Sequence, residues 1–224
     1  MNASLYRAVA FDLDGTLVDS IADLAAAANA MREALGMVPL PQARICTHVG
    51  DGVATLVHRA LTDAHDGEAP QALWEQGFAL FVQHYRTHLA DHTRPYPGVT
   101  EALGLLKQLQ LPLAVVTNKS SRLAMPLLEQ LGLAGYFCMV LGGDSLPEKK
   151  PSAMPLLHVA EQLALKPGQL LMVGDSANDV LAARAAGCGA AVVAYGYADA
   201  ATLGADHIVT SLVELYDLLK NESH

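Results

Sequence analysis

Three cysteines, at 46, 138 and 188, are too few and too irregularly spaced for a disulfide framework, and as buried thiols they suit a reducing compartment. Basic residues are also scarce. Fourteen Lys and Arg against 23 Asp and Glu leave a formal net charge of −9, which argues against a nucleic-acid backbone as partner, since that demands a basic face. A small anionic substrate stays possible, because it needs only local positive charge. Aromatic residues make up 5% of the chain, so its 52% hydrophobic content rests on Ala, Leu and Val. No apolar run is long enough for a membrane span: the longest weakly polar stretch, 180–198, carries Arg184 and several glycines. Residues 1–7 lack the apolar segment of a secretion signal. There is no internal repeat and no low-complexity tract. These absences together predict a soluble, cytoplasmic globular protein.

Short apolar runs bounded by turn residues recur at 8–11, 113–116, 139–141, 170–173, 190–194 and 207–209. Each is too short for a helix and alternates little, as expected of parallel strands covered on both faces. Helical patterns separate most of them, including an Ala-rich segment at 177–186 that ends at Gly187. The alternation predicts an α/β fold, a doubly wound parallel sheet of Rossmann-like type. Between the first strand and the second lie roughly a hundred residues without a convincing strand, too many for a loop. Their pattern is helical at 21–35, 42–48, 53–64 and 70–89. We therefore expect a catalytic core of residues 1–19 and 93–224, interrupted by a helical cap of residues 20–92.

Ligands of open parallel sheets bind beyond the carboxyl ends of the strands, and the polar residues collect there. Asp12 and Asp14 follow the first run, and residues two apart on a strand point to one side. Thr117 and Asn118 follow the second. Asp175 follows the run at 170–173, with Asp179 one helical turn further on. Carboxylates brought this close share a proton or a cation, and an all-oxygen set suits Mg²⁺ better than zinc while also admitting Mn²⁺. The chemistry this points to is phosphoryl transfer. Asp12 is the expected nucleophile, and Asp14 the acid that protonates the leaving oxygen and then the base for water. Mg²⁺ is expected on an Asp12 oxygen, the Asp14 carbonyl and Asp175, with Asp179 orienting a water. Thr117, the Asn118 N–H and one lysine would meet the phosphoryl group. Of the pair Lys149 and Lys150, Lys150 is preferred because Pro151 fixes its neighbouring backbone and is expected to begin a helix; Lys119 is a weaker competitor.

Four motifs in this order, Asp12-Leu-Asp14-Gly-Thr, Val116-Thr117-Asn118, Lys150-Pro151 and Gly174-Asp175-Ser-Ala-Asn-Asp179, resemble the haloacid dehalogenase-like superfamily of aspartate-nucleophile phosphatases over essentially the whole chain. Val18-Asp19-Ser20, His48-Val-Gly50-Asp51-Gly52, Pro95-Tyr96-Pro97-Gly98 and Gly142-Gly143-Asp144 further resemble its phosphoglycolate phosphatase family. That resemblance implies Mg²⁺-dependent hydrolysis of 2-phosphoglycolate to glycolate and phosphate. One departure is Lys150-Pro151-Ser152-Ala153, where the family has Pro-x-Pro after the lysine. In the cap, Gly50, Asp51 and Gly52 open a helix whose free N–H groups suit a substrate carboxylate, or form a glycine turn with Asp51 as helix cap. Arg59 is either a substrate contact or a surface charge, and His48 and His58 have no zinc-ligand spacing.

The rival readings share the core chemistry. A sugar phosphate, a nucleotide or pyrophosphate in place of phosphoglycolate would change only the cap, and a phosphosugar mutase would use the same Asp12 and Asp14. A phospho-receiver domain would place its acceptor after a later strand and carry no cap. The expected partner is a small phosphate ester, with neither nucleic acid nor membrane, on a monomer or homodimer.

Overall fold

A computed structural model describes residues 6–221, so residues 1–5 of the stretch read for a secretion signal lie outside the described residues. Strand β1 (Ala8–Phe11) leads through β2 (Val18–Asp19) into four helices, α1 (Ile21–Ala34), α2 (Gln42–Cys46), α3 (Val53–Thr62) and α4 (Gln71–Thr87). The chain returns through β3 (Arg94–Pro95), α5 (Val99–Gln108), β4 (Leu113–Val116), α6 (Ser121–Gln130) and β5 (Met139–Leu141). It closes with α7 (Met154–Gln162), β6 (Leu170–Gly174), α8 (Ala177–Ala186), β7 (Gly189–Val193), β8 (His207–Val209) and α9 (Leu212–Asn221).

Six strands form one parallel sheet in the order β5-β4-β1-β6-β7-β8, and β2 pairs with β3 in a separate two-stranded sheet. The chain builds first toward one edge, β1 to β4 to β5, and then returns to β1 to build toward the other. The strand order therefore reverses beside β1, the place where open α/β sheets bind ligands. Register carries the ends of β1 and β6 level: Phe11 faces Val173 across the ladder, and Asp12 N–H donates to Val173 O at 2.9 Å.

All four residues of β1 are fully buried. Ala8 and Ala10 face the cluster that holds Leu156 and Val159 of α7 and Val180, Ala182 and Ala183 of α8. Val9 and Phe11 point to the opposite face by the two-residue period. Burial on both sides explains why these strands read as continuous apolar runs. Helix α8 has clear sequence bounds. Ser176 caps it in a box with Asp179, and Gly187 ends it at φ 73°, a left-handed turn that a Cβ disfavours.

Two compact units divide the chain: Asp19–Arg94 is one, and the segments on either side of it, through Val18 and from Pro95, make the other. Within the first, α1 packs on α4 and α2, and α3 on α4. Gly77 permits one close approach, since a Cβ there would lie 3.1 Å from Leu61 and Met31 side-chain atoms. The end of this unit is tied to its start by Asp23, 1% exposed, which accepts from Thr93 N at 2.7 Å and Thr93 Oγ1 at 2.6 Å.

Three local expectations are corrected. Cys188 alone of the three thiols is buried; Cys138 is exposed and Cys46 intermediate. Helix α7 begins at Met154 and not at Pro151, because residues 151–153 form a turn in which Ser152 Oγ accepts from Met154 N at 3.1 Å. Asp51 does not cap α3: Gly52 is the N-cap, without a side-chain bond. No helix among the described residues is long and apolar enough to cross a membrane.

Candidate active site

The site is built at the ends of β1, β4 and β6. Asp12 leaves β1 and is 9% exposed, and its Oδ1 accepts from Leu13 N at 2.7 Å, which fixes the carboxylate against its own backbone. Asp175 leaves β6 and is 3% exposed. Its two oxygens are held from opposite sides, Oδ1 by Thr16 Oγ1 at 3.0 Å and Oδ2 by Tyr197 N at 2.9 Å. Asp179, in the first turn of α8, accepts through Oδ2 from Asp175 N at 3.2 Å, Ser176 N at 3.0 Å and Ser176 Oγ at 2.7 Å. One ligand oxygen from each of Asp12, Asp175 and Asp179 lies within 4.8 Å of the others.

Asp14 stands apart from that cluster. Lys119 Nζ, on a residue 3% exposed, reaches both of its oxygens, at 2.9 and 3.0 Å. Lys150, 2% exposed, lies between two members of the cluster, 3.1 Å from Asp12 Oδ2 and 2.5 Å from Asp179 Oδ1. Asn118 Nδ2 donates to Lys150 O at 3.0 Å, so the loop after β4 positions the lysine, and Lys119 N donates to Thr117 Oγ1 at 3.3 Å. Each aspartate of the Asp12-Leu-Asp14 pair thus has its own lysine.

Electrostatics follow from packing like charges in a dry place. Burial pushes the Asp175 carboxyl up to about 8, with the Asp179 and Asp12 charges adding to it. Burial also raises Asp12, to about 6, where the Lys150 ammonium opposes the rise and Asp179 reinforces it. Lys150 moves the other way around: burial disfavours its charge, but Asp12 and Asp179 outweigh that and hold it above the ordinary lysine value. Two carboxyls raised in one cluster of oxygens form a donor set with unmet demand for positive charge. A hard divalent cation fits that demand, and three carboxylates suit Mg²⁺ or Mn²⁺.

Glycines leave the room that this arrangement needs. A Cβ on Gly196 would lie 2.9 Å from Asp175 Cγ and Oδ2 and closer still to its Cβ. A Cβ on Gly15, at φ 82°, would meet Asp175 Cγ at 2.6 Å and Oδ1 at 2.8 Å. Asp175 is therefore wedged between two positions that only glycine can occupy. Gly196, Tyr197 and Tyr195, whose hydroxyl donates to Thr16 O at 2.8 Å, are site residues that sequence reasoning missed. The available signal was their place just past β7, at the ligand-binding edge.

The expected cap residues come out differently. Gly50 and Gly52 take positive φ, 126° and 86°, so this segment is a glycine-dependent turn. Arg59 is neither a surface charge nor directed outward: it is 7% exposed, and its guanidinium donates to His65 O at 2.6 Å and His48 O at 3.1 Å while pairing with Asp51 Oδ2 at 2.7 Å. The planar fork binds three points of its own unit at once. His48 is fully buried among the described residues with no hydrogen-bond partner for either ring nitrogen, and Asp63 Oδ1 lies 3.6 Å from its Nε2. Burial and then the Arg44 charge lower its affinity for a proton, against the pull of Asp63. His58 stacks on Trp74 at 5.2 Å and accepts from Ala69 N at 3.1 Å.

A family model described as haloacid dehalogenase-like hydrolase matches residues 6–187. The phosphoglycolate phosphatase of Chromobacterium violaceum is 66% identical to this chain over 99% of it and 100% of its own length. That of Neisseria meningitidis is 53% identical over 100% of this chain and 99% of its own. Among solved structures, a predicted phosphoglycolate phosphatase from Haemophilus somnus superposes with a TM-score of 0.90 at 34% identity, covering 96% of this chain and 98% of that one.

Proposed function

The chain belongs to the haloacid dehalogenase-like hydrolases and is a phosphoric monoester hydrolase, and from that premise we propose that it hydrolyses 2-phosphoglycolate to glycolate and phosphate with Mg²⁺. One observation carries the mechanistic part: of the two aspartates spaced two apart, Asp12 joins Asp175 and Asp179, while Asp14 is held outside by Lys119. The two carboxylates have separate environments and therefore separate tasks.

Asp12 attacks phosphorus and forms an aspartyl-phosphate as the bond to the leaving oxygen breaks. Asp14 gives its proton to that oxygen, then takes one from the water that hydrolyses the intermediate. Lys150 keeps the attacking carboxylate ionised and lies where charge on the transferred group needs a partner. Thr117 and the Asn118 N–H complete the phosphoryl contacts. Asp12 and Asp175, with the Asp14 carbonyl, would hold Mg²⁺; the ion, when bound, offsets the repulsion between a phosphate dianion and the carboxylates. Asp179, fixed by Ser176 and Lys150, keeps Asp175 and the start of α8 in place.

The similarity to phosphatases named for phosphoglycolate supports the substrate. The test is kcat/KM with Mg²⁺ across 2-phosphoglycolate, sugar phosphates, nucleotides and pyrophosphate. A preference near a hundredfold, about 2.7 kcal/mol of transition-state binding, is expected for 2-phosphoglycolate. A flat profile or another winner refutes the substrate. Substantial activity in Asp12→Asn, or unchanged turnover in Asp14→Asn, refutes the roles given to those residues.

A further inference from the structure

The site has two buried lysines, and each is committed to a different carboxylate. Lys150 lies beside Asp12, the end at which phosphorus is attacked. Lys119 lies beside Asp14, the end at which the leaving group departs, with its ammonium 2.9 and 3.0 Å from the two Asp14 oxygens. A substrate with one anionic end needs one of them. A substrate with an anion at both ends needs both.

Distances agree with that division. To protonate the leaving oxygen, Asp14 must be within hydrogen-bond reach of it. In 2-phosphoglycolate, three covalent bonds separate that oxygen from a carboxylate oxygen, a gap of roughly 3 Å. A cation in contact with both Asp14 oxygens therefore lies within one further contact of the place where the carboxylate must be. The other compact unit has its buried arginines engaged internally: Arg59 as described, and Arg32 on Val38 O and Ala60 O.

Lys119 is also held firmly. Gly143 N donates to Lys119 O at 2.9 Å, and Asp144 Oδ1 accepts from Ser121 N at 2.6 Å. A Cβ at Gly143 would lie 2.5 Å from Asn118 O, and one at Gly142 would lie 2.8 Å from Lys119 O and closer to Ser121 N. The Gly142-Gly143-Asp144 motif thus serves as the seat of the loop that carries Lys119.

Resting on the phosphoglycolate reading, we propose that Lys119 takes the substrate's carboxylate, so that the sheet unit itself distinguishes phosphoglycolate from a plain alkyl phosphate. The test compares kcat/KM for 2-phosphoglycolate and ethyl phosphate, in which a methyl replaces the carboxylate, for the wild type, Lys119→Met, Lys119→Gln and Lys119→Arg. Both substrates lose rate in the variants, because Asp14 loses its partner. The ratio is the readout. It should fall by about a hundredfold in Lys119→Met and Lys119→Gln, chiefly through KM for 2-phosphoglycolate, and largely recover in Lys119→Arg. A parallel loss on both substrates overturns the inference alone and leaves Lys119 a positioning residue for Asp14. No preference in the wild type overturns the substrate reading and the inference with it. Glycolate inhibition of ethyl phosphate hydrolysis, absent with glycolamide and lost in Lys119→Met, supports the contact; equal inhibition by both in the wild type refutes it.

Discussion

Replacing Gly196 by alanine changes one methyl group on a residue with no functional group, yet it should disable the site. The added Cβ would lie 2.9 Å from Asp175 Cγ and Oδ2, and closer to Cβ, where 3.4 Å is the near limit of ordinary contact. Backbone conformation is not the obstacle, because Gly196 is absent from the positive-φ glycines among the described residues. Space is. The chain at 196 is tied to Asp175 through Tyr197 N, and Gly15 closes the opposite side, so neither partner has an easy retreat. Relief requires a displacement of roughly 1 Å, which at a reacting centre costs about a hundredfold in rate. That loss corresponds to about 2.7 kcal/mol. Steady-state kcat/KM on 2-phosphoglycolate and the Mg²⁺ concentration giving half-maximal rate would both be measured, with thermal unfolding as a check on folding. The expected result is a folded protein with the rate loss and a raised Mg²⁺ requirement. Gly104→Ala, with open space around its Cβ in α5, is the control and should match the wild type in rate. If Gly196→Ala keeps full rate and Mg²⁺ response, Asp175 does not depend on that wedge, and the packing argument fails.

Two other outcomes are expected. Asp175 near 8 and Asp12 near 6 mean that the folded, metal-free protein holds protons there which the unfolded chain releases near 4, so its stability should fall as pH rises through about 4 to 8. A cation that needs both groups ionised stabilises more as pH rises, so the Tm gain from Mg²⁺ over EDTA should be larger at pH 8 than at pH 6; an equal gain at both contradicts the assignment. Arg59→Ala should lower unfolding stability by about 2–3 kcal/mol, since it strips two carbonyls and a partly exposed carboxylate of their donor. Arg59→Lys should not restore it, because an ammonium cannot span three points. A normal Tm with a raised KM would instead make Arg59 a substrate contact.

Much of the site was legible because it obeys local rules. Asp12 and Asp175 follow short apolar runs, and strand order brings the ends of neighbouring runs together whatever lies between. Lys119 was weighed only as a rival to Lys150, because its pairing with Asp14, far away in sequence, leaves no local mark beside Thr117-Asn118. Gly196 gave no chemical signal at all; a glycine's necessity is set by what stands opposite, here Asp175. Arg59 misled for the reverse reason. Its helix position marks a face, but whether that face turns toward neighbouring carbonyls depends on the course of the turns at His48 and His65. The start of α7 was placed early because proline at a first helical position is common, whereas Pro151 here belongs to the turn that Ser152 completes.

The bond from Tyr96 N to Leu17 O, 3.1 Å, has an effect on what this lineage can become. It fastens the sheet unit's two severed ends to each other, so the intervening segment is a closed detour whose length enters the entropy only logarithmically. Such a detour can be lengthened, exchanged or redrawn while the carboxylates keep their places.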